Sequence, residues 1–358
     1  MMRCETVFLS MMLMMGCVDV QEDETDVQMQ PNNEATPEPE MAPDPSPAPS
    51  PDSMEPDPAP EPSECAVTPG CEPGDPSEYD FDVPATFVNG MTVEEDKLVG
   101  GDVDGDGRVD NALGGFLGEV GRLVASLDIN QQYVNTIQDG RLVFGLTWPS
   151  LTVGQDIRDV QDVELHFLPL SDVDGDPLRT DRFRALEEGF IEGSRTPRSR
   201  FAARIEEGVL TTEPGQFDMP FPIGQVILDL SLENVTIEGK VVVDELGIAL
   251  DDVGLSGGFS VDKLVGLLND FLVSDECSCA DIDAPLISLD GCLGEADASA
   301  CVDEKAICAS LVASCGLLGQ ILLGNADLDI DGDGTNDALS VYLRMDGVGT
   351  RVEGVQRQ

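Results

Sequence analysis

The stretches Q-V-I-L-D-L-S-L at 225–232 and N-V-T-I-E-G-K-V-V-V at 234–243 place apolar residues at alternate positions. This period of two is typical of β-strands. Similar patterns occur elsewhere in the chain, at 141–148, 162–170, 201–212, 253–259 and 338–345. Because most of these segments follow one another without long intervening helices, they predict an α+β fold based on a β-rich antiparallel sheet, either a sandwich or a curved meander.

Apolar residues at helical spacing predict a few amphipathic helices that cover this sheet. The predicted helices span residues 112–127, 128–137, 262–272 and 301–323. Asp110 or Asn111 would cap the first, and Ser260 the third. Beyond the acidic loops described next, the sequence shows no internal repeat, which argues against a propeller or solenoid.

The same acidic pattern occurs near both ends of the predicted folded part, as D-V-D-G-D-G-R-V-D and D-I-D-G-D-G-T-N-D. Each has carboxylates at positions 1, 3, 5 and 9 and a glycine at position 6. Hard oxygen ligands around a sharp turn are what Ca²⁺ requires, so two Ca²⁺ ions are predicted as cofactors. The alternative is an acidic turn without an ion, in which clustered carboxylates repel one another.

This nine-residue pattern resembles the calcium loops of integrin-type FG-GAP repeats and, more loosely, those of dockerins, thrombospondin type 3 repeats and EF-hands. An EF-hand has a bidentate Glu at position 12, where this chain has Leu113 and Ser340. The resemblance implies two sets of metal ligands, with Arg108 and Thr335 acting through their carbonyl oxygens: Asp102, Asp104, Asp106, Arg108, Asp110 and Asp329, Asp331, Asp333, Thr335, Asp337.

A third stretch, D-V-D-G-D-P at 172–177, begins in the same way but has a proline where the pattern needs glycine. Proline cannot adopt the positive φ required there, so a solvated turn is the default interpretation and a metal site the alternative.

The N-terminal quarter differs sharply in composition from the rest. Sixteen of the 24 prolines lie between Pro31 and Pro84, and no Lys or Arg occurs between Arg3 and Lys97. Such a segment cannot bury enough apolar surface to fold, so residues 17–86 are predicted to form a disordered, extended tether and residues 87–358 a single domain. The formal net charge of −51 makes nucleic acid an improbable partner.

Residues 1–16 contain Arg3, an apolar run at 7–15 and Gly16 directly before Cys17. This arrangement resembles a bacterial lipoprotein signal peptide. The resemblance implies a lipid on Cys17 that holds the protein to the outer membrane or cell surface, facing an oxidising compartment. The alternative is an ordinary cleaved signal peptide with an incidental cysteine.

Eight further cysteines are predicted to form disulfides, as is usual for exported proteins. Cys65 and Cys71 flank a Pro-Gly turn and are expected to pair. Cys301, Cys308 and Cys315 are spaced by seven on one predicted helix, so each must bond outside that helix. A chain doubling back would pair Cys277 with Cys315, Cys279 with Cys308 and Cys292 with Cys301. Zinc binding through Cys277 and Cys279 is the competing hypothesis.

No residue pattern indicates a nucleophile–histidine centre. His166 is the only histidine and is expected to be a half-exposed strand residue, and no G-x-S-x-G motif is present. Trp148 is expected to pack in the core or at a sheet edge. The arginines at 179, 182, 184, 195, 198 and 200 form a basic patch, interpreted as a solvated loop or as a grip on the tether or on an anionic surface polymer.

Together these features predict a non-enzymatic cell-envelope lipoprotein whose calcium-stabilised domain serves in adhesion, as a scaffold or in ligand binding. The layout is similar to that of uncharacterised Gram-negative surface lipoproteins with D-x-D-G-D-G loops. Expected partners are the membrane, through the lipid, and an envelope or extracellular polymer or protein. The alternatives are a carbohydrate-active hydrolase that uses an Asp/Glu pair and a carrier of an apolar ligand.

Overall fold

The computed structural model describes residues 64–121, 128–173, 182–224, 226–273, 277, 286–292 and 306–357. These residues belong to one compact unit. The predicted signal peptide at 1–16, Cys17 and the tether up to residue 63 lie outside the described residues. No helix within the described ranges has the length and apolar character needed to cross a membrane.

The described residues form a β-rich fold with a few helices. The strands are β1 Ala85–Val93, β2 Phe144–Thr147, β3 Val160–Asp172, β4 Phe183–Leu186, β5 Ser199–Glu206, β6 Val209–Thr212, β7 Gly215–Ile223, β8 Val226–Val243, β9 Ile248–Ser260, β10 Ile287–Ser288, β11 Gly291–Cys292, β12 Ala338–Thr350 and β13 Val352–Gln356. The helices are α1 Glu64–Val67, α2 Ala112–Gly121, α3 Ile129–Gln138, α4 Val261–Val273 and α5 Ala306–Asn325.

Eleven of the strands form one large sheet with the order β13-β4-β3-β2-β1-β12-β9-β8-β6-β5, in which β7 also pairs with β8. An additional pairing of β3 with β5 joins the two arms, so eight antiparallel strands form a closed ring. The pairing of β13 with β4 is parallel. The sheet is therefore mixed, and the expectation of a purely antiparallel sheet is wrong at this edge.

The ring opens into a fork where β3 and β8 each pair with one strand along part of their length and with a different strand along the rest. Strand β3 pairs with β5 through Val160–Phe167 and with β4 through Leu170–Asp172. Strand β8 pairs with β6 near Lys240 and with β7 before Thr236. This fork positions a surface cleft, described below.

Strand β8 unites the two stretches that the sequence pattern suggests as separate strands. Its pairing with β9 shifts register between Glu233 and Thr236, and Asn234 within that shift has φ +52°. Asn tolerates the left-handed region better than most residues, and an extra residue in a strand forms a bulge. The break in alternation therefore marks a bulge and not a turn.

Six strands were not predicted from the sequence, among them the two-residue strands β10 and β11. Strand β7 contains Pro220 and Pro222 and pairs only with β8 among the described strands, as expected because proline cannot donate to a second neighbour. Strands β4 and β13 are short edge strands. Strand β1 lies in the region where the predicted tether meets the predicted domain.

The folded body begins before residue 87, because residues 64–86 pack on the strands. Ala85 and Thr86 are fully buried, and the Tyr79 ring contacts Phe190 with 5.6 Å between centroids. Arg198 forms a bidentate ion pair with Glu64 at 2.6 and 3.0 Å. The C-terminal part of the predicted tether, residues 64–86, is thus part of the folded domain.

The basic patch is mostly occupied by this N-terminal segment. Besides the Arg198 pair, the Nε of Arg195 donates to Glu72 at 2.8 Å, and Arg200 donates to the carbonyl oxygens of Pro69 and Gly70 at 3.4 Å. Arg179 lies outside the described residues. Three arginines of the patch therefore contact the N-terminal segment that the sequence assigned to the tether, in agreement with the predicted grip on the tether.

Three disulfides are formed among the described cysteines. Cys65–Cys71 confirms the predicted local loop. Cys277 pairs with Cys308 and Cys292 with Cys315, so all three predicted pairs, Cys277–Cys315, Cys279–Cys308 and Cys292–Cys301, are wrong. Zinc binding through Cys277 is excluded by its disulfide. Cys279 and Cys301 lie outside the described residues.

The pairing follows from how the chain passes along α5. Cys277 lies shortly after α4, which packs on α5, and the β10–β11 hairpin then carries the chain farther along the same helix. Cys292 therefore meets the more distant cysteine, next to Gly316. The chain does not double back as the nested pairing requires.

Close strand packing predicts opposite effects for two glycine-to-alanine substitutions. A Cβ at Gly145 in β2 would lie 2.2 Å from the Thr86 carbonyl oxygen, whereas a Cβ at Gly266 in α4 meets nothing within 4 Å. Gly145→Ala should lower the free energy of unfolding by about 1–3 kcal/mol. Gly266→Ala should raise it by about 0.5–1 kcal/mol, because alanine favours helix. Urea denaturation measures both, and a stabilised Gly145→Ala variant would contradict the packing described.

Candidate metal centre and neighbouring sites

The two acidic loops, Asp102–Asp110 and Asp329–Asp337, share a set of hydrogen bonds from backbone N–H groups at equivalent positions. The N–H at position 6 donates to the carboxylate at position 1, at 2.9 Å for Gly107–Asp102 and 2.8 Å for Gly334–Asp329. The N–H groups at positions 5 and 7 donate to the carboxylates at positions 3 and 5 in both loops. The sequence repeat is therefore also a structural repeat.

Each loop is also closed in the same way at its ends. The position-9 N–H donates to the carbonyl oxygen just before position 1, at 2.7 Å for Asp110–Gly101 and 3.1 Å for Asp337–Leu328. The glycine at position 6 has φ +83° in the first loop and +91° in the second. A residue with a side chain is strained in that region, which accounts for the glycine in the pattern.

Three carboxylates in each loop converge on a common point. Asp102, Asp104 and Asp106 offer oxygen atoms within 4.8 Å of one another, and so do Asp329, Asp331 and Asp333. A carboxylate has about four lone-pair sites, so one that accepts a backbone N–H retains acceptors for a cation. These two triads could hold a metal ion, and their all-oxygen donor sets suit a hard divalent cation.

The position-9 carboxylates, Asp110 and Asp337, lie at the closing ends of the loops. Asp110 is buried, and its Oδ2 accepts a 2.7 Å hydrogen bond from the Val103 N–H. Its role as a direct ligand remains a prediction, as do that of Asp337 and those of the carbonyl oxygens of Arg108 and Thr335.

Although far apart in sequence, the two loops are neighbours in the structure. The Ala112 N–H, just after the first loop, donates to Ser340 Oγ at 2.8 Å. That hydroxyl donates in turn to Asp327 Oδ2 at 2.5 Å, just before the second loop. Strands β1 and β12 are paired up to Val93 and Leu343, which brings both loops to the same end of the sheet.

Asn111 anchors the first loop to both neighbouring segments. Its Nδ2 donates to the carbonyl oxygens of Glu94, Asp96 and Val99, and its Oδ1 accepts from the N–H groups of Gly114 and Tyr342. The residue is 2% exposed. From the sequence Asn111 is expected only as a helix cap, because this bridging role depends on long-range contacts that local patterns do not contain.

Burial and the crowding of carboxylates raise the pKa values of Asp110 and Asp337. Burial raises the pKa of Asp110, and the charges of Asp104 and Asp327 raise it further. Burial likewise raises the pKa of Asp337, with added repulsion from Asp331 and Asp333. Negative charge is thus concentrated at one end of the sheet, where a divalent cation would relieve the repulsion.

The residues at position 12 of each loop point into the protein. Leu113 is 1% exposed and Ser340 is fully buried, so neither position provides an EF-hand ligand. The third acidic stretch is described only at Asp172 and Val173, and its residues 174–177 lie outside the described residues.

His166 is buried at 5% exposure, so the expectation of a half-exposed residue is wrong. Its Nε2 lies 2.9 Å from Glu164 Oε1, its Nδ1 lies 2.8 Å from the Tyr79 hydroxyl, and that hydroxyl lies 2.6 Å from Thr147 Oγ1. All three hydrogen bonds are satisfied when the His166 imidazole is neutral with its proton on Nε2, Thr147 donates to Tyr79, and Tyr79 donates to His166. Burial raises the pKa of Tyr79, which keeps the phenol protonated. The arrangement therefore serves to hold the N-terminal segment on β2 and β3.

A cleft opens at the fork of the ring. Two adjoining cavities of about 560 and 610 Å³ share Leu142, Val143, Pro169, Glu188, Pro220 and Asp229 in their walls. Phe144, Phe167 and Phe217 contribute an apolar floor. Burial raises the pKa of Asp229, and the charges of Asp218 and Glu188 raise it further. No sequence motif marked these residues, because they come from strands and turns distant along the chain.

No protein family, curated protein or solved structure matches the chain.

The His166 contact predicts a pH-dependent effect of Glu164→Gln. The hydrogen bond from His166 holds the pKa of Glu164 below its ordinary value of 4.5. A lowered pKa in the folded state adds stability that is fully present above pH 4.5 and is lost as the pH falls through the lowered pKa. The substitution should therefore destabilise the protein at neutral pH and progressively less in acid.

Urea denaturation across this pH range measures the effect, with Glu213→Gln on an exposed turn as the control for a lost charge. A destabilisation by Glu164→Gln that is the same in acid and at neutral pH would contradict the role assigned to the His166 contact.

Proposed function

We propose that the protein is a non-enzymatic, lipid-anchored module of the cell envelope whose folded domain is stabilised by two Ca²⁺ ions and binds a ligand. The observation that carries the proposal is the repetition of one loop conformation, with three converging carboxylates, at two places in the chain. The ligands of each ion are the three clustered carboxylates, the position-9 Asp and the position-7 carbonyl oxygen.

Calcium is favoured over other cations by the donor set and by the setting. All the proposed ligands are oxygen atoms, and histidine and cysteine are absent from both loops. Disulfides fit an oxidising compartment, where Ca²⁺ is plentiful. Extracellular modules bind Ca²⁺ with Kd of about 10⁻⁴–10⁻³ M, so the ions act as structural supports.

Because the ions bind the folded state, Ca²⁺ should raise its thermal stability. At about 10 mM Ca²⁺, each site with a Kd of about 10⁻⁴–10⁻³ M adds about 1.4–2.7 kcal/mol to the free energy of unfolding. Each kcal/mol corresponds to about 2–4 °C in Tm for a domain of this size. Scanning calorimetry with Ca²⁺ or with EDTA measures the difference.

Asp104→Asn and Asp331→Asn remove one clustered carboxylate each and should each reduce the Ca²⁺-dependent rise in Tm. Glu213→Gln, which removes an exposed charge elsewhere, should leave the rise unchanged. An identical Tm in Ca²⁺ and EDTA for the wild-type protein would reject the calcium proposal.

The lipid anchor is supported by the Gly16–Cys17 sequence after a short apolar run and by the presence of disulfides. In this proposal residues 17–63 link the lipid to the domain, which begins with the segment 64–86 packed on the sheet.

Expression of the full chain in a Gram-negative host with an alkyne fatty acid tests the anchor. The wild-type protein should incorporate the label and sediment with membranes, whereas Cys17→Ser should do neither, with Cys4→Ser as the matched control. Labelling of the Cys17→Ser variant equal to that of wild type would refute lipidation at this position.

The curved-meander form of the fold also belongs to this proposal. It is supported by the closed ring of eight paired strands and by α4, which buries Val261, Leu264, Val265, Leu268, Phe271 and Leu272 on one face. Of the three roles considered, adhesion, scaffolding and ligand binding, the cleft at the fork of the ring favours ligand binding.

A further inference from the structure

The cleft has the size and composition of a small-molecule site. Each of its two adjoining cavities falls within the range of about 300–1,000 Å³ that is usual for ligand pockets. Its floor consists of the buried side chains of Phe144, Phe167 and Phe217, which are 5%, 4% and 2% exposed, and Pro169 and Pro220 form part of its walls. Such a surface favours the apolar body of a ligand.

The charge of the walls is strongly negative. The two cavities are lined by five acidic and two basic residues. Of the basic ones, Arg198 is held by both oxygens of Glu64, and Arg141 lies 3.4 Å from Thr136 Oγ1 and 3.9 Å from Asp139. The positive charges in the walls are therefore already directed at other protein groups.

Two of the acidic side chains, Asp218 and Glu188, repel the charge of a third, Asp229. Asp218 and Asp229 lie on the paired strands β7 and β8, where Asp218 is opposite Ser231 and Asp229 opposite Pro220. The Ser231 hydroxyl donates to Asp218 Oδ1 at 2.7 Å, which holds that carboxylate in place. Glu188 reaches the same space from the turn after β4, and both neighbours repel the charge of Asp229.

From these observations we infer that the cleft binds a small organic cation, an ammonium group carried on an apolar body. The ammonium lies between Asp218 and Asp229, and the apolar body lies against the phenylalanine floor. A monocation of this kind relieves the repulsion among the carboxylates and covers the apolar surface in one step. This inference rests on the proposed function only in taking the domain as a ligand-binding module.

Other occupants fit the cleft less well. Sugars usually stack on Trp or Tyr, and neither residue is among the described residues that line the cleft. A neutral apolar ligand would leave the carboxylate repulsion in place. A nucleotide or other anion would increase it.

Calorimetric titration with phenethylammonium tests the inference, with phenethyl alcohol as the uncharged analogue. The alcohol keeps the apolar body but lacks the cation, so it should bind at least about tenfold more weakly, because it cannot form charged N–H···O hydrogen bonds with the carboxylates. Equal binding of the two compounds would overturn the inference in favour of an apolar carrier. The absence of phenethylammonium binding at a ligand concentration of about 10 mM would also overturn it, because the Kd would then be weaker than is common for ligand sites.

Variants locate the site. Asp229→Asn and Asp218→Asn should each weaken phenethylammonium binding by about tenfold. Glu213→Gln, an exposed residue outside the cleft lining, should leave it unchanged. Circular dichroism and Tm confirm that each variant is folded. Unchanged affinity in both aspartate variants would overturn the assignment to this cleft.

Titrations in saturating Ca²⁺ and in EDTA separate this inference from the proposed function. Loss of Ca²⁺ stabilisation with intact ammonium binding rejects the calcium proposal alone, and the reverse result rejects the cleft alone. Competition of Ca²⁺ with phenethylammonium, at concentrations that leave the fold unchanged, would show the cleft to be a metal site and would overturn the inference.

Discussion

The antiparallel pairing of β1 with β12 fixes the position of both acidic loops. Strand β1 leads into the first loop, and the second loop leads into β12, so the register between the strands places the loops at the same end of the sheet. Ser340 and Asn111 then join the segments directly, through Asp327, Ala112 and Tyr342. One set of hydrogen bonds therefore connects the two loops and the start of α2.

This convergence concentrates negative charge in a chain that already carries a formal charge of −51. Elsewhere the protein offsets its acidic residues with a small number of arginines, as in the pairs Arg198–Glu64, Arg182–Glu353 and Arg344–Asp252. The described parts of the two loops contain one arginine, Arg108, whose side chain is exposed. Divalent cations are the natural means of neutralising the loops. The same electrostatic repulsion supports the proposed binding of an organic cation in the acidic cleft at the fork of the ring.

Local patterns in the sequence predicted the features that depend on neighbouring residues. Alternation located β2, β3, β5, β8, β9 and β12, helical spacing located α3 and α4, and the acidic repeat located both carboxylate triads. Features set by distant contacts were missed or mistaken. The cysteine pairing depends on how the β10–β11 hairpin passes α5, β7 carries prolines that only an edge position tolerates, and His166 is buried because residues 64–86 cover it. The cleft has no signal in the sequence, because its carboxylates are brought together only by the pairing of β7 with β8 and by the turn after β4.

The proposed stabilisation of the fold by two Ca²⁺ ions is tested most directly by a crystal structure of the Ca²⁺-loaded protein with anomalous scattering data. Two anomalous peaks are expected, one within about 2.3–2.6 Å of carboxylate oxygens in each triad. The adjacent loops should retain the hydrogen bonds from Ala112 through Ser340 to Asp327. Fully ordered loops without anomalous density, in crystals grown at millimolar Ca²⁺, would contradict the role assigned to the paired acidic repeats.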